Sequence, residues 1–336
     1  MMNKRLKQGS TFLLAVALTF PLLTLPGAKA ASAIDTGAEC SIEFDISGNS
    51  SELLSASIPV NLYKVASVDV SGNYTVTDAF TGLDLSSVSA DDLDAAAATW
   101  AERAKEAQGK LTDSEENPVV DPTETVTLQN GRGSQDKLKT GLYLVDTPKV
   151  TTPNYTYTFT PYLVSLPTNN YYSGNGASDD WIYDLTKEYN SAVGLKPEQH
   201  VRYGDLVINK KLDDHNATFG DKATFVFQID ITTPDNKKET RIEELTFDAA
   251  GSHSVTIEKI PAGSHVTVTE VYSGASYELA SAKSQETDII ANPEKKSEVE
   301  FRPAKVSFIN KHDGRTNGGY GVKNNFKLDE TNQYQY

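Results

Sequence analysis

Short runs in which apolar and polar residues alternate recur along this chain. Side chains of a β-strand repeat every two residues, so each such run reads as a strand with one face turned to a core. In the first half these runs fall at residues 41–46, 58–66, 74–77, 141–146 and 155–167, with a hairpin-like turn at Ser71-Gly72-Asn73. One segment departs from the period of two. From residue 90 to 108 the apolar positions Leu93, Ala97, Trp100, Ala104 and Ala107 follow helical spacing. Ser89 stands where it can cap this helix, and Asp91 and Asp92 suit its first turn. Residues 115–123 read as a polar, proline-containing loop. The first half is therefore expected to be a sandwich with a helical excursion.

In the second half strands are expected at residues 205–210, 225–231, 266–270 and 306–310. Three of them carry one polar residue on the apolar face. Leu206, Ile208, Lys210 and Leu212 point one way; so do Val266, Val268 and Glu270, and so do Val306, Phe308 and Asn310. A lysine, a carboxylic acid and an amide aimed into one core are costly as unpaired groups. A purely structural solution is a buried Lys–Glu ion pair beside a hydrogen-bonded Asn, or three residues at the sheet rim. The other solution is reaction. Burial disfavours the charged form of a lysine and frees the nucleophilic amine. Apolar surroundings also favour the neutral form of a carboxylic acid, which makes Glu270 the candidate acid to polarise the Asn310 carboxamide and shuttle protons. Attack by Lys210 on Asn310 releases ammonia and leaves an intramolecular isopeptide bond. With all three residues in phase, the reactive arrangement is the expected one. Lys211, the rival nucleophile, falls on the opposite face by parity.

Composition adds an address. Residues 1–30 read as a secretory signal: basic Lys4, Arg5 and Lys7, an apolar stretch from Phe12 to Leu25, then Ala28-Lys29-Ala30 for cleavage after Ala30 or, a little later, Ala33. The apolar stretch is short and contains Pro21, so no membrane span is expected in the mature chain. Without the signal, 27 of the 31 Lys and Arg remain against 46 Asp and Glu. That acidity favours solubility and argues against nucleic acid or anionic lipid as partners. The chain has a single cysteine, Cys40, and hence no internal disulfide. Glu39 is wrong for a lipobox and Glu39-Cys40-Ser41 matches no thioester motif, so a free, partly buried strand thiol is expected. The five histidines show no ligand or triad spacing, and Asp213-Asp214-His215-Asn216 lacks the glycine and terminal glutamate of a calcium loop. No metal, no cofactor and no enzymatic turnover are expected, beyond one self-reaction assisted by Glu270.

Residues 205–312 resemble a Cna B-type domain, the Ig-like sandwich of Gram-positive pilins and surface adhesins. The carriers are Asp205-Leu206-Val207-Ile208-Asn209-Lys210, the Pro261-Ala262-Gly263 turn leading to Glu270, and Phe308-Ile309-Asn310. The resemblance implies the same cross-link between Lys210 and Asn310, with Glu270 as its acid. Residues 31–204 resemble the N-terminal domain of Gram-positive pilin subunits. There the carriers are Leu62-Tyr63-Lys64-Val65-Ala66, Gly141-Leu142-Tyr143-Leu144-Val145, Tyr162-Leu163-Val164-Ser165-Leu166-Pro167 and Trp181-Ile182-Tyr183-Asp184. Together they imply a mainly β chain of tandem Ig-like Greek-key sandwiches, the helix being inserted in the N-terminal one. The expected division is signal peptide 1–30, pilin-like domain 31–204, Cna B-type domain 205–312 and flexible tail 313–336. In shaft pilins a Tyr-Pro-Lys-Asn motif supplies the lysine that a sortase joins to the next subunit. That motif is absent here. Lys196 lies nearest its place and Lys187 is the alternative, and an ordinary solvated lysine describes either equally well. No second Lys/Glu/Asn set is expected in residues 31–204, where the candidate acid nearest to Lys64 is Asp146.

The expected function is a structural cell-surface or pilus-like subunit of a Gram-positive bacterium, secreted and partnered by other pilin or surface subunits through a sortase. The competing class is a secreted or surface adhesin for a host or matrix ligand on the same scaffold. Its only candidate patches are Tyr155-Thr156-Tyr157 and Tyr171-Tyr172. After residue 312 there is neither a Leu-Pro-x-Thr-Gly-like signal nor an apolar run. The chain is thus expected to accept a partner's C-terminus rather than donate its own, unless it is a secreted protein reusing the scaffold or a piece of a longer one. Its tail is expected either to be disordered or to add a strand to a neighbour's sheet.

Overall fold

The computed structural model describes residues 33–86, 93–168, 181–186, 193–216, 222–294 and 302–315, with strand pieces at 23–24, 88–89, 327–328 and 334–335. The expected signal peptide and tail otherwise lie outside the described residues. The chain is mainly β and divides into two units, Met1–Thr152 with Tyr157–Gln199, and Pro153–Thr156 with His200–Tyr336.

In the first unit β1 is Glu39–Asp45, followed by the single-turn helix α1, Ser51–Leu54. Next come β2, Ile58–Val68, β3, Tyr74–Val76, and the long helix α2, Leu93–Gln108. Further along are β4, Glu124–Leu128, β5, Arg132–Lys139, and β6, Gly141–Asp146. They are followed by β7, Tyr155–Phe159, which belongs to this unit from Tyr157 on, β8, Tyr162–Leu166, and β9, Asp184–Leu185. One sheet runs β8-β6-β2-β3 with β4 also paired to β2, and a second runs β9-β1-β5. Trp100, Ala104 and Ala107 of α2 pack with Tyr63, Val65, Leu142, Leu144 and Leu163 in one core. At the start of the stripe the buried residue is Ala96, 1% exposed, while Ala97 is only half-buried. The expected capping turn, residues 90–92, lies outside the described residues.

Two features of this unit differ from the sequence pattern. The expected strand over 155–167 is divided at Thr160-Pro161, where proline has no N–H to give a ladder. Strand β5 shows no alternation because it buries only Leu138, while β4 alternates over just Val126 and Leu128, too short a run to stand out. Their turn is nevertheless written locally. Asn130 and Gly131 take φ of 51° and 78°, the left-handed pair that a two-residue hairpin requires.

In the second unit β10 is Tyr203–Leu212, β11 is Ala223–Thr232 and β12 is Lys238–Phe247. Then follow β13, Gly251–Pro261, β14, His265–Tyr272, β15, Tyr277–Leu279, β16, Ser284–Asp288, and β17, Ala304–His312. One sheet runs β13-β10-β17-β15 and the other β12-β11-β14-β16. The inner faces close on Leu206, Ile208, Phe225, Phe227, Ile229, Val266, Val268, Val306 and Phe308. The first strand and the last lie side by side in parallel, with Ile208 opposite Val306 and Lys210 opposite Phe308. Between β13 and β14 the chain reverses through Pro261-Ala262-Gly263-Ser264, where Gly263 takes a φ of 75° and Ser264 N donates to Pro261 O at 3.2 Å.

The two open sides of this sandwich are closed by polar side chains reaching from one sheet to the other. On β12, Arg241 and Glu243 stand opposite the inward residues Ile229 and Phe227. Arg241 Nη1 donates to Glu258 O of β13 at 3.2 Å, while its Nε donates to Glu239 Oε1 at 2.7 Å. Inward charges on an edge strand also discourage edge-to-edge pairing. Across the sandwich Gln285 of β16 stands opposite the inward Val268 and reaches the backbone of β17.

Candidate functional site

Strand parity and the parallel β10–β17 pair bring two of the sequence-selected side chains together. Lys210 and Asn310 both face inward, and in the register Leu212 is opposite Asn310, so Asn310 lies one inner position diagonal to Lys210. Glu270 comes from the opposing sheet, where it pairs with Phe227. A register shift lies beside that pair, between Val226 and Phe227, and an irregularity of this kind re-aims the neighbouring side chain. The exposures of Lys210, Glu270 and Asn310 are 0%, 1% and 0%.

The three side chains form a closed ring of hydrogen bonds. Lys210 Nζ donates to Glu270 Oε2 at 2.5 Å and also to Asn310 Oδ1. Asn310 Nδ2 donates to Glu270 Oε1 at 2.7 Å. Lys210 Nζ sits 4.4 Å from the centre of the Phe225 ring and 5.7 Å from that of Phe227. Phe227 in turn packs on Phe308 with centroids 5.1 Å apart. Burial among these rings pushes the Lys210 amine below its ordinary 10.5, while the hydrogen bond and charge of Glu270 work against that shift. The amine therefore touches both the amide it can attack and the acid that can take its proton. The amide nitrogen, the group that would leave, also faces that acid.

The other sequence-selected residues have separate surroundings. Lys211 is exposed on the opposite face and pairs with Asp213 at 2.8 Å. Lys196 is exposed; Lys187 and Tyr171-Tyr172 lie outside the described residues. Tyr157 is a core residue, its hydroxyl 2.9 Å from Ser50 Oγ, so the Tyr155–Tyr157 cluster is not a presented aromatic patch. Cys40 is 1% exposed, more deeply buried than expected, and burial pushes its thiol up to about 12 against the opposing charge of Lys64. Burial lowers Lys64, with Cys40 opposing. Asp146 is raised by burial and accepts from Gln108 Nε2 at 2.6 Å. Lys64 and Asp146 thus have different neighbours. Among the described residues no group of three or more His, Cys, Asp or Glu could hold a metal, and no helix is long and apolar enough to cross a membrane.

Gln285 was missed by the sequence reading. Its signal was a polar residue in a short polar strand, and only the pairing with Val268 shows that it points inward.

Residues 206–313 match a domain family described as a domain of unknown function, DUF5979. No curated protein matches the sequence. Among solved structures, the chain is similar to the Bacillus anthracis TIE protein at 13% identity, with a TM-score of 0.26 over 60% of this chain and 30% of that one. It thus spans less than a third of that protein's length. It is also similar to the major pilin SpaD of Corynebacterium diphtheriae, at 11% identity and TM-score 0.25, over 85% of this chain and 100% of that one. For the major pilin SpaA of the same organism the identity is 12% and the TM-score 0.23, over 81% of this chain and 100% of that one. At TM-scores this low the likeness carries no functional weight.

Proposed function

We propose that this chain is a structural cell-surface or pilus-like subunit whose second unit is locked by an autocatalytic isopeptide bond between Lys210 and Asn310. The observation that carries the reading is the buried ring of Lys210, Glu270 and Asn310. A structural ion pair explains the lysine and the acid, but not why an amide closes the ring with its carbonyl on the amine.

The reaction balances without a cofactor. Lys210 Nζ passes a proton to Glu270 and attacks Asn310 Cγ. The new N–C bond forms, Glu270 hands that proton to Nδ2 as the Cγ–Nδ2 bond breaks and ammonia leaves, and the second Nζ proton then passes to Glu270, which ends as the neutral acid. Both charges leave the core in the product, removing the cost of a buried ion pair. A cross-link from the first strand of the unit to the last suits a protein that carries load outside the cell.

The intact mass of the purified protein is expected to fall short of the sequence mass by one ammonia. Lys210→Ala, Asn310→Ala and Glu270→Ala should each restore the full mass. A wild type at full mass rules the bond out.

As a surface subunit the chain would meet its neighbours through a sortase, with Lys196 accepting a partner's C-terminus. Exposure of Lys196 and its place after the Trp181-Ile182-Tyr183-Asp184 segment support this assignment. Incubation with a sortase and a donor pilin should give a conjugate mapping to Lys196 and lost in Lys196→Arg. A junction at another lysine removes the assignment.

A further inference from the structure

We infer that Gln285 and Ser281 are positioning residues for the cross-link, holding the strand that carries Asn310 along an edge that no described strand pairs with. The inference rests on the cross-linking reading above. On one side β17 pairs with β10 from Ala304 to Asn310. On its other side β15 reaches only Asn310, Lys311 and His312. Among the described residues, residues 304–309 therefore have no strand neighbour there.

Side chains take the strand's place. Gln285 Nε2 donates to Ser307 O at 2.5 Å, and its Oε1 accepts from Ser307 N at 3.1 Å. A primary amide offers one donor edge and one acceptor, the same pair that a neighbouring strand residue presents. Two residues on, Ser281 Oγ accepts from Ile309 N at 3.1 Å and Ala280 N donates to Ile309 O at 2.8 Å. The backbone on both sides of Phe308 is thus fastened immediately before Asn310.

Register decides whether the reaction is possible. A slip of one residue turns Asn310 to the outside of the sheet. A slip of two keeps its face but carries the carboxamide about 7 Å along the strand. Attack needs the reacting atoms about 3–3.5 Å apart. Gln285 anchors Ser307 from the opposing sheet, the same sheet that supplies Glu270. It therefore fixes the amide relative to the acid as well as to the lysine.

The test is a time course. The full chain is made by cell-free synthesis, translation is stopped, and samples quenched in denaturant are weighed by mass spectrometry. Gln285→Ala is expected to lose ammonia about tenfold more slowly than wild type while folded by circular dichroism. Gln285→Glu keeps the acceptor for Ser307 N and should fall between the two; Ser281→Ala should be slowed about threefold. Arg241→Ala breaks a comparable side-chain-to-backbone link on the other open side and should cross-link at the wild-type rate despite lower stability. Gln285→Ala reacting at the wild-type rate, or Arg241→Ala slowed as much, overturns the positioning role. A wild type that never loses ammonia overturns the cross-link itself.

Discussion

Before the proposed cross-link forms, Lys210 is an amine in an apolar enclosure, and its titration should be visible in stability. Its folded-state value lies below the ordinary 10.5 because burial disfavours the ammonium. Between those two values the unfolded chain binds the proton and the native chain does not. Stability therefore rises with pH across that window, and falls as pH drops through it. The variant to show this is Asn310→Ala, which keeps the amine and the acid but cannot cross-link. Urea unfolding of Asn310→Ala should show stability climbing toward pH 10.5 relative to the cross-linked wild type, whose amide no longer titrates. Equal slopes in the two proteins would mean either that Lys210 is not a buried titrating amine or that the wild type keeps it unreacted. The residue scale was the most legible one. Strand parity alone put Lys210, Glu270 and Asn310 on inner faces, and it excluded Lys211, because a period of two leaves no ambiguity once the strands are assigned.

At the scale of elements, core strands and edge strands behaved differently. β10, β11, β14 and β17 bury every second side chain, so their pattern carries the signal. β12 does not. Lys238-Glu239-Thr240-Arg241-Ile242-Glu243-Glu244-Leu245 has the lysine, glutamate and leucine content of a helix, yet it forms a ten-residue edge strand. Pairing along the whole of β11 overrides local propensity there. Its inner face is apolar at Leu245 and Phe247, and further along Arg241 bonds to Glu258 O. Arg241→Ala should cost about 1 kcal/mol, the net worth of a partly exposed hydrogen bond. It should also raise the tendency to aggregate by uncovering the edge. Urea midpoints and light scattering check both; an unchanged midpoint would assign Arg241 to the surface alone.

For the whole molecule the consequence of the proposed cross-link is topological. Lys210 and Asn310 are 100 residues apart in sequence, and joining them closes the span from the first strand of the second unit to its last into a loop. By the loop-entropy relation used for disulfides this is worth about 4–5 kcal/mol, with no sulfur chemistry involved. Asn310→Ala should lower the stability of the second unit by about that amount and leave the first unit unchanged, as followed by calorimetry with and without a thiol reductant. A reductant-sensitive loss would point to Cys40 instead, although Cys40 is buried and free. Taken alone, the sequence determined the strand-rich character of the chain, the helix in its first half, and which side chains of the core strands face inward. All three follow from local periodicity, which needs no partner to be read. Tertiary structure decided the rest. The parallel seating of the first strand against the last, the meeting of Glu270 with both, and the Gln285 clamp on Ser307 each join residues tens of positions apart. Their energies come from groups that become neighbours only when two sheets close, and no local pattern encodes that distance.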